Sequence, residues 1–253
     1  MAVNPVKYYV GTSGWLYDHW KDNFYPPDIK KDSWFNYYIR HFSTVEINAT
    51  FYRKFKDETF TRWKGISPDN FRFVLKIPRV ITHIKKLVDV EKEISEFCRQ
   101  AMLLEDKLGC LLLQLPPFIT YQPGLLQDTL CLFEKKIRVA VEFRDKSWLI
   151  NESEAILKKH AAIFCNSDSP LMALNDWITT DAAYFRMHGR TNWYAYNYSH
   201  EELMDVIRLM KGFFQNGVRT IYVFFNNDFG GFAPQNAKSL NDLLSSDLSV
   251  REG

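Results

Sequence analysis

Two glutamates carry the first hint of chemistry in this chain. Glu46 stands in STVEIN and Glu142 in VAVEF, each inside a short run of branched or aromatic residues. Two carboxylates facing one cavity can divide acid and base work when their surroundings separate their pKa values. Glycoside hydrolysis is built this way, with carboxyl separations of about 5–5.5 Å in retaining and 6.5–9.5 Å in inverting enzymes. Each glutamate also has a cation within reach, Lys76 and Arg144, so salt-bridged positioning carboxylates are the competing reading. Arg144, Arg186, Arg190, Lys76 and His188 together form a cationic set, and guanidinium forks suit phosphate or carboxylate, which points to a small anionic ligand. His188, in YFRMHGR, fits a general acid/base or a hydrogen-bond donor, and His83 could orient Lys76 or the ligand. A hydrogen-bonded structural histidine is the alternative for both. No HxH or HExxH spacing exists for zinc, while Glu46, Glu142 and Asn226 form a conceivable magnesium or manganese set. No cofactor is called for.

The elements that must position these groups alternate along the chain. Strands are expected at Tyr8–Thr12, Thr44–Asn48, Arg72–Ile77, Cys110–Leu115, Arg138–Phe143, Ala161–Cys165, Ala183–His188 and Thr220–Phe225. Leu87, Val90, Ile94, Phe97, Ala101 and Leu104 make one apolar stripe on a long helix. Trp34, Tyr38 and Phe42 make another, Pro123 suits a first helical turn, and Ser199 with Glu202 has capping-box spacing. Eight strands alternating with helices predict parallel pairing, and eight units can close on themselves where an open doubly wound sheet stops near five or six strands. The expected fold is α/β, a single (β/α)8 TIM-type barrel spanning residues 1–253, with parallel strands and outer helices. Its sixth unit is the weakest, since 166–181 holds at most a short helix.

Strand parity then sorts the side chains. Successive residues point to opposite faces, one toward the helices and one toward the barrel axis. Val45 and Ile47, Leu75 and Ile77, Leu113 and Leu115, Val141 and Phe143, Phe185 and Met187, and Val223 and Phe225 belong under the helices. The opposite parity holds Glu46, Asn48, Lys76, Gln114, Glu142, Arg144, Arg186, His188 and Asn226, all in the C-terminal halves of their strands. Burying these groups is costly unless they pair or meet a ligand. A self-neutralising ionic core answers that cost for any single residue. For the whole set a site is the better answer, because such barrels are filled by branched apolar layers and work at the strands' C-terminal ends.

Aromatic residues crowd the same loops: Trp15, Tyr17 and Trp20 after the first strand, Phe51 and Tyr52 after the second, Trp148 after the fifth, and Trp193, Tyr194, Tyr196 and Tyr198 after the seventh. Most pack a rim, yet stacking beside cations also suits a sugar, a nucleotide or a single strand of nucleic acid. TNWYAYNYS reads as a mobile lid or a wall. NNDFGG after the eighth strand leads into a helix near Pro234, a place where this fold commonly holds phosphate, although Gly-Gly is equally an ordinary turn.

Composition narrows the class. Lys plus Arg number 32 against 30 Asp plus Glu, a net charge of +2, which lacks the basic excess of a duplex-binding domain. Cys98, Cys110, Cys131 and Cys165 show no CxxC spacing and read as buried free thiols in a reducing compartment. No signal-peptide pattern and no apolar run of membrane-spanning length is seen, so the expectation is a cytoplasmic protein with no membrane partner.

Seven segments in order, GTSGWLYDHWKDNFYP, STVEINATFYR, FVLKIPRVITH, LLLQLPPF, VAVEFRDKSW, YFRMHGR and VFFNND, resemble the YecE-like family of uncharacterised proteins. The resemblance runs through nearly the whole chain and implies a TIM-type barrel without an established activity. Its characteristic residues fall here on Trp15, Glu46, Tyr52, Lys76, His83, Gln114, Glu142, Arg144, Arg186, His188 and Asn226. Three functions stay open: an enzyme of hydrolase-like acid/base chemistry on a small anionic or sugar-like substrate, using Glu46, Glu142, His188 and Lys76; a protein that binds or processes single-stranded nucleic acid; and a non-catalytic ligand sensor.

Overall fold

The computed structural model describes residues 6–249. Eight strands form one sheet: β1 (Lys7–Thr12), β2 (Thr44–Ile47), β3 (Arg72–Lys76), β4 (Leu108–Gln114), β5 (Val139–Glu142), β6 (Ile163–Asp168), β7 (Ala182–Met187) and β8 (Thr220–Phe225). Their order is β1-β8-β7-β6-β5-β4-β3-β2, with the first strand hydrogen-bonded to the last. An open doubly wound sheet does not join those two, so this is the strand order of a (β/α)8 barrel of the TIM type. The ladders β1–β8, β3–β4, β4–β5, β5–β6 and β7–β8 are parallel, from Tyr8↔Ile221 in β1 and β8 to Gln114↔Glu142 in β4 and β5.

Eight α-helices intervene: α1 (Trp34–Tyr38), α2 (Ala49–Tyr52), α3 (Asp57–Ile66), α4 (Glu91–Ala101), α5 (Pro123–Cys131), α6 (Asn151–Lys159), α7 (His200–Gln215) and α8 (Phe232–Ser249). Pro123 starts α5, where a missing N–H costs nothing. Ser199 caps α7 as the spacing predicts, its side chain accepting from Glu202 while the Glu202 carboxylate accepts from the Ser199 N–H at 2.8 Å.

Three expectations need correction. The stripe from Leu87 to Leu104 is not one helix: Leu87 and Asp89 adopt φ of 68° and 50°, and α4 starts only at Glu91. Leu87, Ile94 and Leu104 are nevertheless all buried, so the periodicity reported a shared core rather than a shared element. Strand β6 begins two residues after its expected start and runs on through Asn166, Ser167 and Asp168, all buried. The fourth thiol is exposed: Cys131 lies at the C-terminus of α5, while Cys98, Cys110 and Cys165 are buried. Among the described residues no helix is long and apolar enough to cross a membrane.

The chain divides into two compact units, one holding Glu46–Cys165 and the other the residues up to Val45 with those from Asn166 onward. Within each, both strand faces are filled. In the second unit Phe185 meets Phe213 of α7 at 5.5 Å on the helix side. The opposite face carries a ladder of rings, Tyr9 on Tyr222 at 5.2 Å and Tyr184 on Phe224 at 5.2 Å. In the Glu46–Cys165 unit Phe73 meets Trp63 of α3 at 6.1 Å, again on the helix side.

Candidate active site

In the Glu46–Cys165 unit the C-terminal ends of the strands bring the predicted polar residues together. Gln114 and Glu142 are paired across β4 and β5, and their side chains meet: Gln114 Nε2 donates to Glu142 Oε2 at 2.6 Å. The other carboxylate oxygen accepts from Arg144 Nη2 at 2.8 Å. Glu142 is wholly buried. A carboxylate bonded on both oxygens by a guanidinium and an amide is held in one orientation. Here the competing reading of a salt-bridged positioning carboxylate is met in geometry, and it does not exclude chemistry, since a base also needs a fixed aim.

Glu46 in β2 and Lys76 in β3 are buried in the same unit. Lys76 places its ammonium 4.1 Å from the centre of the Phe51 ring, a cation–π contact. Asn48, directly before α2, buries its Oδ1 with no hydrogen-bond partner. A buried acceptor left open is costly, and a ligand donor would relieve that cost.

His83 lies in a single π-helical turn, Val80–Ile84, after β3. Its Nδ1 shares a hydrogen bond of 2.8 Å with the Thr82 hydroxyl. Burial, then the charges of Lys76 and Arg79, lower its pKa to about 4, so it is neutral at physiological pH. Phe51 lies edge-on to His83 at 4.9 Å. Tyr52 is 70% exposed beside them.

The other unit gathers Arg186, His188 and Asn226. Arg186 Nη1 lies 3.5 Å from His188 Nε2, and the Asn226 amide lies 3.0 Å from Nδ1. The guanidinium faces one ring nitrogen and the Asn226 side-chain amide faces the other, so the imidazole is held from both sides. Arg186 and His188 are buried on the face of β7 that also carries Tyr184. Trp15 is buried as well, against Phe35 at 5.0 Å, with its carbonyl accepting from Tyr25; its role is packing as well as any contact with ligand.

Arg190, grouped with the cations by sequence, is neutralised locally. Its Nε donates to Asp168 at 3.1 Å and its Nη1 to Glu202 at 3.2 Å. Burial raises the Asp168 pKa, opposed by Arg190. TNWYAYNYS is a wall tied at successive points rather than a lid. Tyr194 N–H donates to His188 O, Tyr196 hydroxyl to Glu202 Oε1, and Gly189 N–H to the buried Tyr198 hydroxyl. Gly189 makes this possible at φ 107°, since a Cβ there would come 2.5 Å from Asn192 O.

The glycine pair after β8 has a packing explanation. A Cβ on Gly231 would stand 2.2 Å from Asn23 Nδ2, and Asn23 also donates to Gly230 O at 3.2 Å. Asp228 in the same turn accepts from Trp20 Nε1 at 2.5 Å and pairs with His19 at 3.0 Å. A carboxylate with its pKa raised by burial occupies the turn that sequence offered to phosphate. Asp168, Asp228 and His19 are thus the polar partners that sequence reasoning passed over, and Glu202, read only as a capping residue, also holds Arg190 and Tyr196. Asp168 had a signal, since it shares parity with Asn166 on a strand read as ending too soon. Among the described residues no group of three or more His, Cys, Asp or Glu is placed to hold a metal ion.

Comparisons with known proteins agree with the architecture. A family model described as a protein of unknown function, DUF72, matches residues 9–252. The chain is 27% identical to the UPF0759 protein YunF of Bacillus subtilis, over 95% of this chain and 96% of that protein. It is 38% identical to the UPF0759 protein YecE of Escherichia coli K12, over 31% of this chain and 29% of that one. The crystal structure of a DUF72 family protein from Thermotoga maritima superposes with a TM-score of 0.86 at 31% identity, covering 94% of this chain and 99% of that one. A DUF72 family protein from Enterococcus faecalis shares the fold at a TM-score of 0.82 and 22% identity, over 94% and 95% of the two chains.

Proposed function

This chain belongs to the DUF72 family, and on that footing we propose that it is an enzyme acting on a small anionic or sugar-like substrate by acid/base chemistry at the C-terminal ends of its strands. One observation carries the reading: Glu142 is wholly buried, yet Gln114 and Arg144 hold its two oxygens at 2.6 and 2.8 Å. A carboxylate kept in a dry place by donors costs stability relative to apolar packing of the same volume. That cost is understandable where the group does work. The barrel supplies the context, because polar groups at the C-terminal ends of strands are where this architecture places its chemistry.

Glu142 serves as the base or the positioning carboxylate, Glu46 as the second carboxyl group, and Lys76 as the buried cation of the same unit. Arg144 and Gln114 hold Glu142, and the open Asn48 Oδ1 awaits a donor from the ligand. In the other unit His188, fixed by Arg186 and Asn226, is a set of the same kind and is read on its own terms as an acid/base group. A hydrolase is the first choice of reaction class.

The test is a thermal-shift screen with phosphate esters, small carboxylates and sugars on the wild type, Arg144→Gln and Glu142→Gln. At least one compound is expected to raise the wild-type Tm, with the rise lost in Arg144→Gln. A flat response across the whole panel overturns the small-anion reading. For a compound that binds, Glu142→Gln is expected to lower turnover at least a hundredfold, in the range of a lost general base. A non-catalytic sensor would instead bind equally in both forms and turn over in neither.

A further inference from the structure

The segments after β2, β3 and β4 expose more aromatic and apolar surface than a barrel rim needs. Tyr52 is 70% exposed, Ile84 61% and Phe118 55%. Three of the rings join into a continuous row around His83. Tyr52 meets Phe51 at 4.8 Å, Phe51 meets His83 at 4.9 Å, and His83 meets Phe118 at 5.9 Å, each pair edge to face. Ammonium groups lie against two of the rings: the buried Lys76 is 4.1 Å from the Phe51 centre and the exposed Lys86 5.5 Å from the Phe118 centre. The two outermost rings, Tyr52 and Phe118, are the two most open to solvent.

We propose that this row is a stacking site for a nucleotide-like ligand, whose planar base lies on Tyr52 or Phe118 and whose phosphate meets the exposed Lys86. The proposal rests on the reading that the strand ends of this unit bind a small anion, and it narrows that anion to one carrying a π face. Charge complementarity selects the occupant. An apolar protein partner would have no use for ammonium groups set against the rings, and a bare sugar phosphate would leave the two open rings uncovered. A nucleotide satisfies both features, since every base offers a stacking face and its phosphate is the complement of an ammonium. His83 fits the same role. It is neutral at physiological pH, so it adds ring surface and a hydrogen-bonding nitrogen without adding to the charge.

Isothermal titration of the full chain with adenosine 5′-monophosphate, adenosine, ribose 5-phosphate and an eight-residue oligothymidylate tests this. The monophosphate is expected to bind, with adenosine and ribose 5-phosphate each at least tenfold weaker. Phe118→Ala and Tyr52→Ala remove exposed rings, so both fold, and at least one is expected to weaken the monophosphate by roughly 5- to 100-fold. Ribose 5-phosphate binding as tightly as the monophosphate, with both variants unaffected, overturns the stacking site and leaves the small-anion reading standing. Monophosphate binding that responds to the ring variants but not to Arg144→Gln supports the stacking site while removing that reading. An oligothymidylate that binds in a steeply salt-dependent way while the monophosphate does not overturns the proposal and assigns the row to a single strand.

Discussion

Gln114 and Glu142 sit opposite one another on β4 and β5 and bond side chain to side chain at 2.6 Å, with Arg144 closing the other side of the carboxylate. Parity places all three on one face, and register sets Gln114 and Glu142 at one level. Removing the carboxylate takes an ion-pair partner from a guanidinium that is 12% exposed. Glu142→Leu is therefore expected to cost about 3–5 kcal/mol in urea unfolding, and the double variant Glu142→Leu with Arg144→Leu to recover much of that loss. Additive losses in the two single variants would show that the pair is not coupled.

His83 supplies a pH prediction. Its folded pKa, about 4, lies below the ordinary value of 6.5 through burial first and the charges of Lys76 and Arg79 second. A histidine depressed in this way favours the folded state above its unfolded pKa. That contribution is lost as pH falls from about 6.5 through about 4, because the unfolded chain takes up the proton first. Histidine chemical shifts followed by NMR are expected to place its midpoint near 4. Lys76→Met is expected to raise the midpoint by removing the cation with the stronger effect of the two, and a midpoint unmoved in that variant counts against the assignment.

The wall behind His188 depends on Gly189. At φ 107° an alanine is strained, and its Cβ would also meet Asn192 O and Tyr196 Cβ at 2.5 Å. Gly217 has φ 98° with nothing within 4 Å of the same construction, so it isolates the backbone part. Gly189→Ala is expected to destabilise by more than Gly217→Ala, which itself costs roughly 1–3 kcal/mol. Equal losses on denaturant unfolding would mean that the close approach of Tyr196 is not needed.

Ser199→Ala removes the side-chain acceptor at the start of α7 and is expected to cost about 1 kcal/mol. Glu202→Ala should cost more, because Glu202 also accepts from Arg190 and Tyr196. The opposite ranking in thermal unfolding would assign the loop's stability to the cap alone.

Where local chemistry dictated an element, the sequence was readable. Pro123 and the Ser199–Glu202 pair mark helix starts without help from tertiary contacts, and β8 follows from an unbroken run of branched and aromatic residues. Strand β6 was harder because its second half is polar. Asn166 exchanges two hydrogen bonds with the Asn175 backbone and Asp168 pairs with Arg190, partners far along the chain that make a buried polar strand tolerable. The helix expected from Leu87 failed for a related reason, since left-handed residues at Leu87 and Asp89 let two elements share one apolar stripe. At the site, alternation named Gln114, Glu142, Arg186 and His188, because parity is a local rule. It did not foresee that Arg190 would be spent on Asp168 and Glu202, or that Asn23 would fill the space beside Gly231.

Native mass spectrometry with a pool of phosphate esters, sugar phosphates and small carboxylates tests the central claim most directly. The wild type is expected to retain at least one of them as a stoichiometric adduct, and Arg144→Gln to retain none under the same conditions. No adduct with the wild type, or an adduct that survives in both Arg144→Gln and Glu142→Gln, would contradict the assignment of a working site to the buried Glu142 cluster.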